Sequence, residues 1–179
     1  MKTYIVFLKG VNVGGHNRVK MDVLKKALTE HQFEHVKTYI NSGNVILQSV
    51  SDKEKIAEQV AHIIRVSFGV DVKMIIKTAD ELIDLTERNP FNAEAESDCA
   101  KRAVVMLSER VEPGQLQIFK DEGKVNENYY LSDDVLFVYY HNGFGNTKFT
   151  ADYIGRKLGV VTTARNWNTI LKLRDMVRN

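Results

Sequence analysis

The order in which strand-like and helix-like stretches follow one another constrains this chain more than any single motif does. Tyr4-Ile5-Val6-Phe7-Leu8 is a short apolar run rich in β-formers, followed at once by a glycine-rich segment, which is the signature of a buried strand. From Met21, apolar residues recur at Leu24, Ala27 and Leu28, the stripe of an amphipathic helix that ends near His31. Residues 36–40 (VKTYI) and 44–48 (NVILQ) flank Asn41-Ser42-Gly43. Asn and Gly tolerate the positive φ of tight turns, so this pair predicts a hairpin. Ile56, Val60, Ile63 and Ile64 mark a second helix opening near Ser51 or Asp52, both good capping residues, and residues 70–77 (VDVKMIIK) read as a strand. Residues 1–78 therefore read β-α-β-β-α-β, the ferredoxin-like order.

A helix over residues 79–88 stops before Asn89-Pro90-Phe91, and the acidic stretch AEAESD leads onward. The pattern then returns: a strand at 102–107, a helix opening at Glu112-Pro113, and a hairpin of 125–131 with 134–140 around Ser132-Asp133. A helix near 150–158, the short run VVTTA and a last helix over 166–177 complete it. The expectation is an α+β chain of two ferredoxin-like β-α-β-β-α-β halves packed together, 1–78 and 101–179, joined by a connecting helix and acidic loop at 79–100. The second half carries an extra C-terminal helix. The halves share element order and no residue-level repeat.

A chain of 179 residues with 44% hydrophobic content is long enough for one substantial core or two small ones that pack together. Its single cysteine, Cys99, cannot form an internal disulfide; the N-terminal stretch is too short in apolar residues for a secretory signal, and no run is long enough to span a bilayer. These features predict a cytoplasmic protein without a membrane partner. Cys99 lies in ESDCAKR, where nearby acids argue against a thiolate. Net charge is only +2, but residues 1–50 hold seven basic against three acidic residues, and 144–179 hold seven against two. The basic excess sits at both ends of the chain and the middle is acidic.

The segment GVNVGGHNRVKM (10–21) carries G-x-x-x-G-G, which is neither the dinucleotide fingerprint nor a P-loop. Glycine amides can still form an anion-accepting concavity beside a helix N-terminus, with Lys9, Arg18 and Lys20 adding charge. The plain alternative is a connecting loop whose glycines only permit turns. Ferredoxin-like topology runs strands one and two in the same direction with strand three between them, so this loop and the 41–43 turn fall at the same end of the sheet. In the second half, NGFGNTKF (142–149) and TARNWNT (163–169) have similar chemistry, and an arginine beside an indole suits a phosphate attached to a planar ring. The competing reading makes Trp167 a core anchor, Arg165 a structural partner and Asn166 a helix cap. The candidate ligand-binding set is Asn12, Gly14, Gly15, Arg18, Lys20, Ser42, Asn44, Lys148, Arg165, Asn166, Trp167 and Asn168. No metal-ligand spacing or cofactor fingerprint accompanies it.

Together GVNVGGHNRVKM, TYINSGNV, NPF, the NTKF stretch and TARNWNT resemble, in order and spacing, the bacterial family known as domain of unknown function 1697. Departures are small: Val11 where isoleucine is common, Asn41 where glutamine is common, and Asn146-Thr147-Lys148-Phe149 where a Ser-Lys-Leu version is frequent. The resemblance implies a paired ferredoxin-like architecture in a cytoplasmic bacterial protein, and it brings no activity.

Three functions are open at this level. The first is binding of a phosphate-bearing ligand, a nucleotide or single-stranded RNA, in a basic cleft rich in Gly and Asn. Tyr129, Phe137 and Tyr139 on the second hairpin would add stacking surfaces for RNA, unless that face is core. The second is an enzyme acting on a small phosphorylated or nucleotide substrate, with Lys148 or Asp152 moving a proton. The third is a protein-interaction module without a small-molecule site. Oligomeric state is left open.

Overall fold

The computed structural model describes residues 1–92, 96–123 and 125–178. These form two compact units, residues 1–84 with the segment from Met176, and residues 85–175. Part of the acidic stretch, residues 93–95, lies outside the described residues.

In the first unit the order is β1 (Lys2–Leu8), α1 (Met21–Glu30), β2 (Glu34–Tyr39), β3 (Asn44–Ser49), α2 (Lys53–Phe68) and β4 (Met74–Thr78). The four strands make one antiparallel sheet in the order β2-β3-β1-β4, with Val6 between Val45 and Ile76. Alternation sends Tyr4, Val6 and Leu8 to one face, where they join Leu24 and Leu28 of α1 and Ile56, Val60 and Ile64 of α2 in a core. Ile5 and Phe7, on the other face, are also fully buried, which explains why β1 is a continuous apolar run without alternation. Asp52 caps α2 by accepting from the Lys55 amide at 2.9 Å, and Gly69 closes it in the left-handed conformation. Strand β4 is shorter than the run 70–77 predicts. Its ladder on β1 ends at the pair Leu8–Met74, where β1 itself ends.

Helix α3 (Ala79–Glu87) begins in the first unit and carries the chain into the second, where a 3₁₀ helix (Glu96–Lys101) and then β5 (Arg102–Leu107) follow. A 3₁₀ turn (Pro113–Leu116) runs into α4 (Gln117–Asp121), followed by β6 (Asn128–Ser132), β7 (Val135–Tyr139), α5 (Ala151–Leu158), β8 (Thr162–Asn166) and α6 (Trp167–Arg178). The sheet order, β6-β7-β5-β8, repeats the first arrangement and is again antiparallel throughout. Phe119 and Phe149 meet edge-on, 5.0 Å between ring centres, in a core with Leu136, Val138 and Ile154. Among the described residues, no helix is long and apolar enough to cross a membrane.

The second hairpin does not present the aromatic surface that the RNA reading requires. Phe137 is fully buried, and Tyr129 packs its ring against Phe119 and Phe149. Tyr139 is half-buried and donates its hydroxyl to Asp98 at 3.1 Å. Alternation does place Phe137 and Tyr139 on one face, but that face is core for Phe137.

Candidate functional site

In the first unit the glycine-rich segment is a miniature hairpin. The His16 amide donates to the Val13 carbonyl at 3.0 Å, and Gly14 and Gly15 between them have φ of 58° and 79°. Positive φ at both central residues is the requirement of a type I′ turn, and it accounts for the Gly-Gly pair without any ligand. Asn12, itself at φ 57°, organises the base. Its Nδ2 donates to the Val19 and Asn41 carbonyls at 2.9 and 2.8 Å, and its Oδ1 accepts from the Val19 amide at 2.9 Å. Asn44 is buried and donates to the Tyr39 carbonyl and Ser42 Oγ, shaping the neighbouring turn. The hairpin loop and the 41–43 turn thus meet at one end of the sheet. Of the candidates brought together there, Gly14, Gly15, Arg18, Lys20 and Ser42 are exposed, whereas Asn12 and Asn44 serve the backbone.

In the second unit the predicted residues differ in exposure. Lys148 is exposed on the loop before α5, whereas the next residue, Phe149, is anchored in the aromatic core. Asp152 sits in the first turn of α5, where the helix dipole favours an acid. Strand β8 runs through Asn166 and passes directly into α6, so Arg165 is a strand residue, 6% exposed. Arg165 donates through Nη1 to Thr163 Oγ1 and the Ala164 carbonyl, both at 2.8 Å. Burial pushes its guanidinium down to about 10, so it stays charged at neutral pH. Asn166 accepts from the Thr169 amide at 2.8 Å and so caps α6. Trp167 is buried and Asn168 exposed. These surroundings suit the alternative reading of structural partner for Arg165 and helix cap for Asn166.

Trp167 and Asn168 nevertheless line a cavity of about 520 Å³ within this unit, and the other residues around it were not expected. Arg102, the first residue of β5, is 3% exposed. Its Nη1 donates to the Phe91 carbonyl at 2.9 Å and its Nη2 reaches Cys99 Sγ at 2.8 Å. The buried Nε has no hydrogen-bond partner among the described residues. Asn92 enters from a turn in which Asn89 Oδ1 accepts from the Phe91 amide, and Asn92 Nδ2 donates to the Thr86 carbonyl at 2.9 Å. Arg174, one face of α6, completes the lining with Leu171 and Thr86 and pairs with Asp175 at 2.8 Å. None of these lining residues is acidic. Hydrogen bonds from Lys101 and the Tyr139 hydroxyl hold the Asp98 carboxyl below its ordinary range.

A signal for this second cluster exists in the sequence. Cys99 and Arg102 are three apart, and a 3₁₀ helix aligns residues at that spacing. An irregular acidic stretch gives no reason to expect one.

Protein of unknown function DUF1697 is the family model that fits this chain, over residues 1–137. The chain belongs to that family. No curated protein matches it. Among solved structures, the conserved bacterial protein SP0830 from Streptococcus pneumoniae is similar at 22% identity, with a TM-score of 0.74 over 100% of this chain and 99% of that one. At that identity the likeness concerns the fold alone. Within this family member, the matched region includes the glycine hairpin, the 41–43 turn, Asn92, Cys99 and Arg102, while Trp167, Asn168 and Arg174 lie beyond it.

Proposed function

We propose that this DUF1697 protein binds a small phosphate-bearing ligand in the cavity lined by Asn92, Arg102, Trp167, Asn168 and Arg174. One observation carries the reading: two arginines, Arg102 and Arg174, line a cavity in which no acid occurs among the described lining residues. Guanidinium groups in a cavity wall offer charge-assisted hydrogen bonds to an anionic oxygen. A cavity of about 520 Å³ is in the range that holds a nucleotide-sized molecule. Asn92, Asn168 and Trp167 in the lining supply groups to orient the rest of it. A nucleotide is favoured over single-stranded RNA, because the hairpin aromatics that would stack on bases are engaged in the core. The repeated strand order also supports treating each unit as ferredoxin-like, with the connecting stretch 79–100 between them.

Titration calorimetry with inorganic phosphate and with nucleoside monophosphates tests the proposal. Removing one charged donor by Arg174→Gln is expected to weaken binding on the order of tenfold, and added salt to weaken it further. Absence of binding by every phosphate compound, or an affinity indifferent to Arg174→Gln, would overturn it.

A further inference from the structure

We infer that this protein self-associates through the edge strand β6, two copies pairing antiparallel about a two-fold axis. The inference is independent of the anion-binding reading. Strand β6 ends its sheet, and among the described residues its ladder runs on β7 alone. A row of backbone N–H and C=O groups therefore faces outward along its free side, open to a further strand. A groove of about 890 Å³, with Phe91 and Leu116 in its lining, is also lined by four consecutive residues, Asn128, Tyr129, Tyr130 and Leu131. Successive side chains of a strand point to opposite faces, so a groove that touches all four lies along the edge of the strand and not over one face.

The first unit shows a protected edge in the same position. Strand β2 carries Glu34 and Lys37, its register shifts between them, and His35 there has φ 49°. Charges and an irregularity of this kind discourage further pairing. Strand β6, Asn128-Tyr129-Tyr130-Leu131-Ser132, has no charge, no proline and a continuous register on β7. At its centre Tyr130 is 53% exposed, and among the described residues of the second unit it is the one large hydrophobic side chain left exposed.

Symmetry and charge select a second copy as the occupant. In an antiparallel pair centred on Tyr130, that residue faces its own equivalent, Asn128 faces Ser132, and Tyr129 faces Leu131. A two-fold axis sets the central residue against itself, where a charged side chain would repel its twin and a tyrosine offers an aromatic pair. One step beyond the strand, Glu127 falls opposite Asp133, whose carboxylate holds Arg88 at 2.8 Å and Arg110 at 3.0 Å. The two acids of that turn, Asp133 and Asp134, are matched by these two arginines, and the exposed Arg110 is a cation available to Glu127 of the second copy.

Sedimentation velocity on the full chain, over a range of micromolar concentrations, tests the inference. The native sequence is expected to pass from monomer to dimer as concentration rises. Tyr130→Lys and Tyr130→Glu each set like charges face to face on the axis, and each should raise the dimer dissociation constant on the order of tenfold. An equimolar mixture of the two variants sets unlike charges opposite one another and should recover the dimer. The position is exposed, so both variants are expected to melt with the native chain at concentrations below the dimer range. A chain that is monomeric at every concentration, whatever else the groove accepts, would overturn the inference. So would a dimer indifferent to both substitutions, or a loss of dimer that mixing does not rescue.

Discussion

Asn12 Nδ2 donates to the carbonyl of Asn41, 29 residues away, at 2.8 Å, and to the carbonyl of Val19 at 2.9 Å. One amide group therefore joins the glycine hairpin, the entry to α1 and the turn between β2 and β3. A positive-φ asparagine fits here because its short side chain hydrogen-bonds locally and tolerates the left-handed region. Asn12→Ala is expected to cost about 2 kcal/mol through three lost hydrogen bonds, read as a lower midpoint in urea unfolding. Asn12→Asp should cost at least as much, because a carboxylate oxygen would then face two carbonyl oxygens.

Gly43 and Gly14 both have positive φ, but they differ in surroundings. A Cβ on Gly43 would lie 2.5 Å from Val11 Cγ2 and 2.8 Å from Leu8 Cβ, whereas one on Gly14 meets nothing nearer than His16 at 4.0 Å. Gly43→Ala combines backbone strain with overpacking and should cost about 3 kcal/mol, against about 1 kcal/mol for Gly14→Ala. Equal melting temperatures for the two variants would contradict this.

Glu81 illustrates a pH effect. Desolvation raises its carboxyl, but the hydrogen bond from Lys53 at 2.6 Å and one from the Thr78 amide at 2.8 Å outweigh it, leaving the group below its ordinary value of 4.5. A depressed carboxylate contributes stability above its unfolded value and loses it as pH falls through the folded one. Glu81→Gln should therefore destabilise at neutral pH and lose less stability than wild type as the solution is acidified below about 4.5. Thermal melts from pH 7 down to pH 3 measure the difference.

Arg165 and Arg174 separate structure from binding. Arg165 is 6% exposed and bonded within its own strand end, so Arg165→Ala should cost about 3 kcal/mol of stability. Its effect on phosphate affinity should be smaller than that of Arg174→Gln. Calorimetry on both variants, with melting curves alongside, decides between the two roles; a stable Arg165→Ala protein that no longer binds phosphate would reverse the assignment.

Local chemistry by itself determined the element order of this chain. The stripe Met21, Leu24, Ala27, Leu28, the capping Asp52 and the Asn41-Ser42-Gly43 turn each act within a few residues, where side-chain period and backbone preference decide the outcome. Convergence of the glycine hairpin and the 41–43 turn also followed, because strand order sets which loops share an end of a sheet. What each chemically suggestive residue does was decided by tertiary structure. Gly14 and Gly15 have the same sequence whether they cradle an anion or turn a hairpin, and the Val13–His16 bond settles which backbone shape they take. Arg165 and Trp167 read equally as ligand groups or as structural residues, and β8 running straight into α6 buries both. Arg102 drew no notice in a strand of apolar neighbours, yet a 3₁₀ turn before it aims its guanidinium at Cys99, and α6 brings Arg174 to the same cavity from 72 positions further along. Burial and partnership depend on contacts between distant segments, and the free energy of desolvating a charge, which separates a structural arginine from a binding one, exists only once those segments have met.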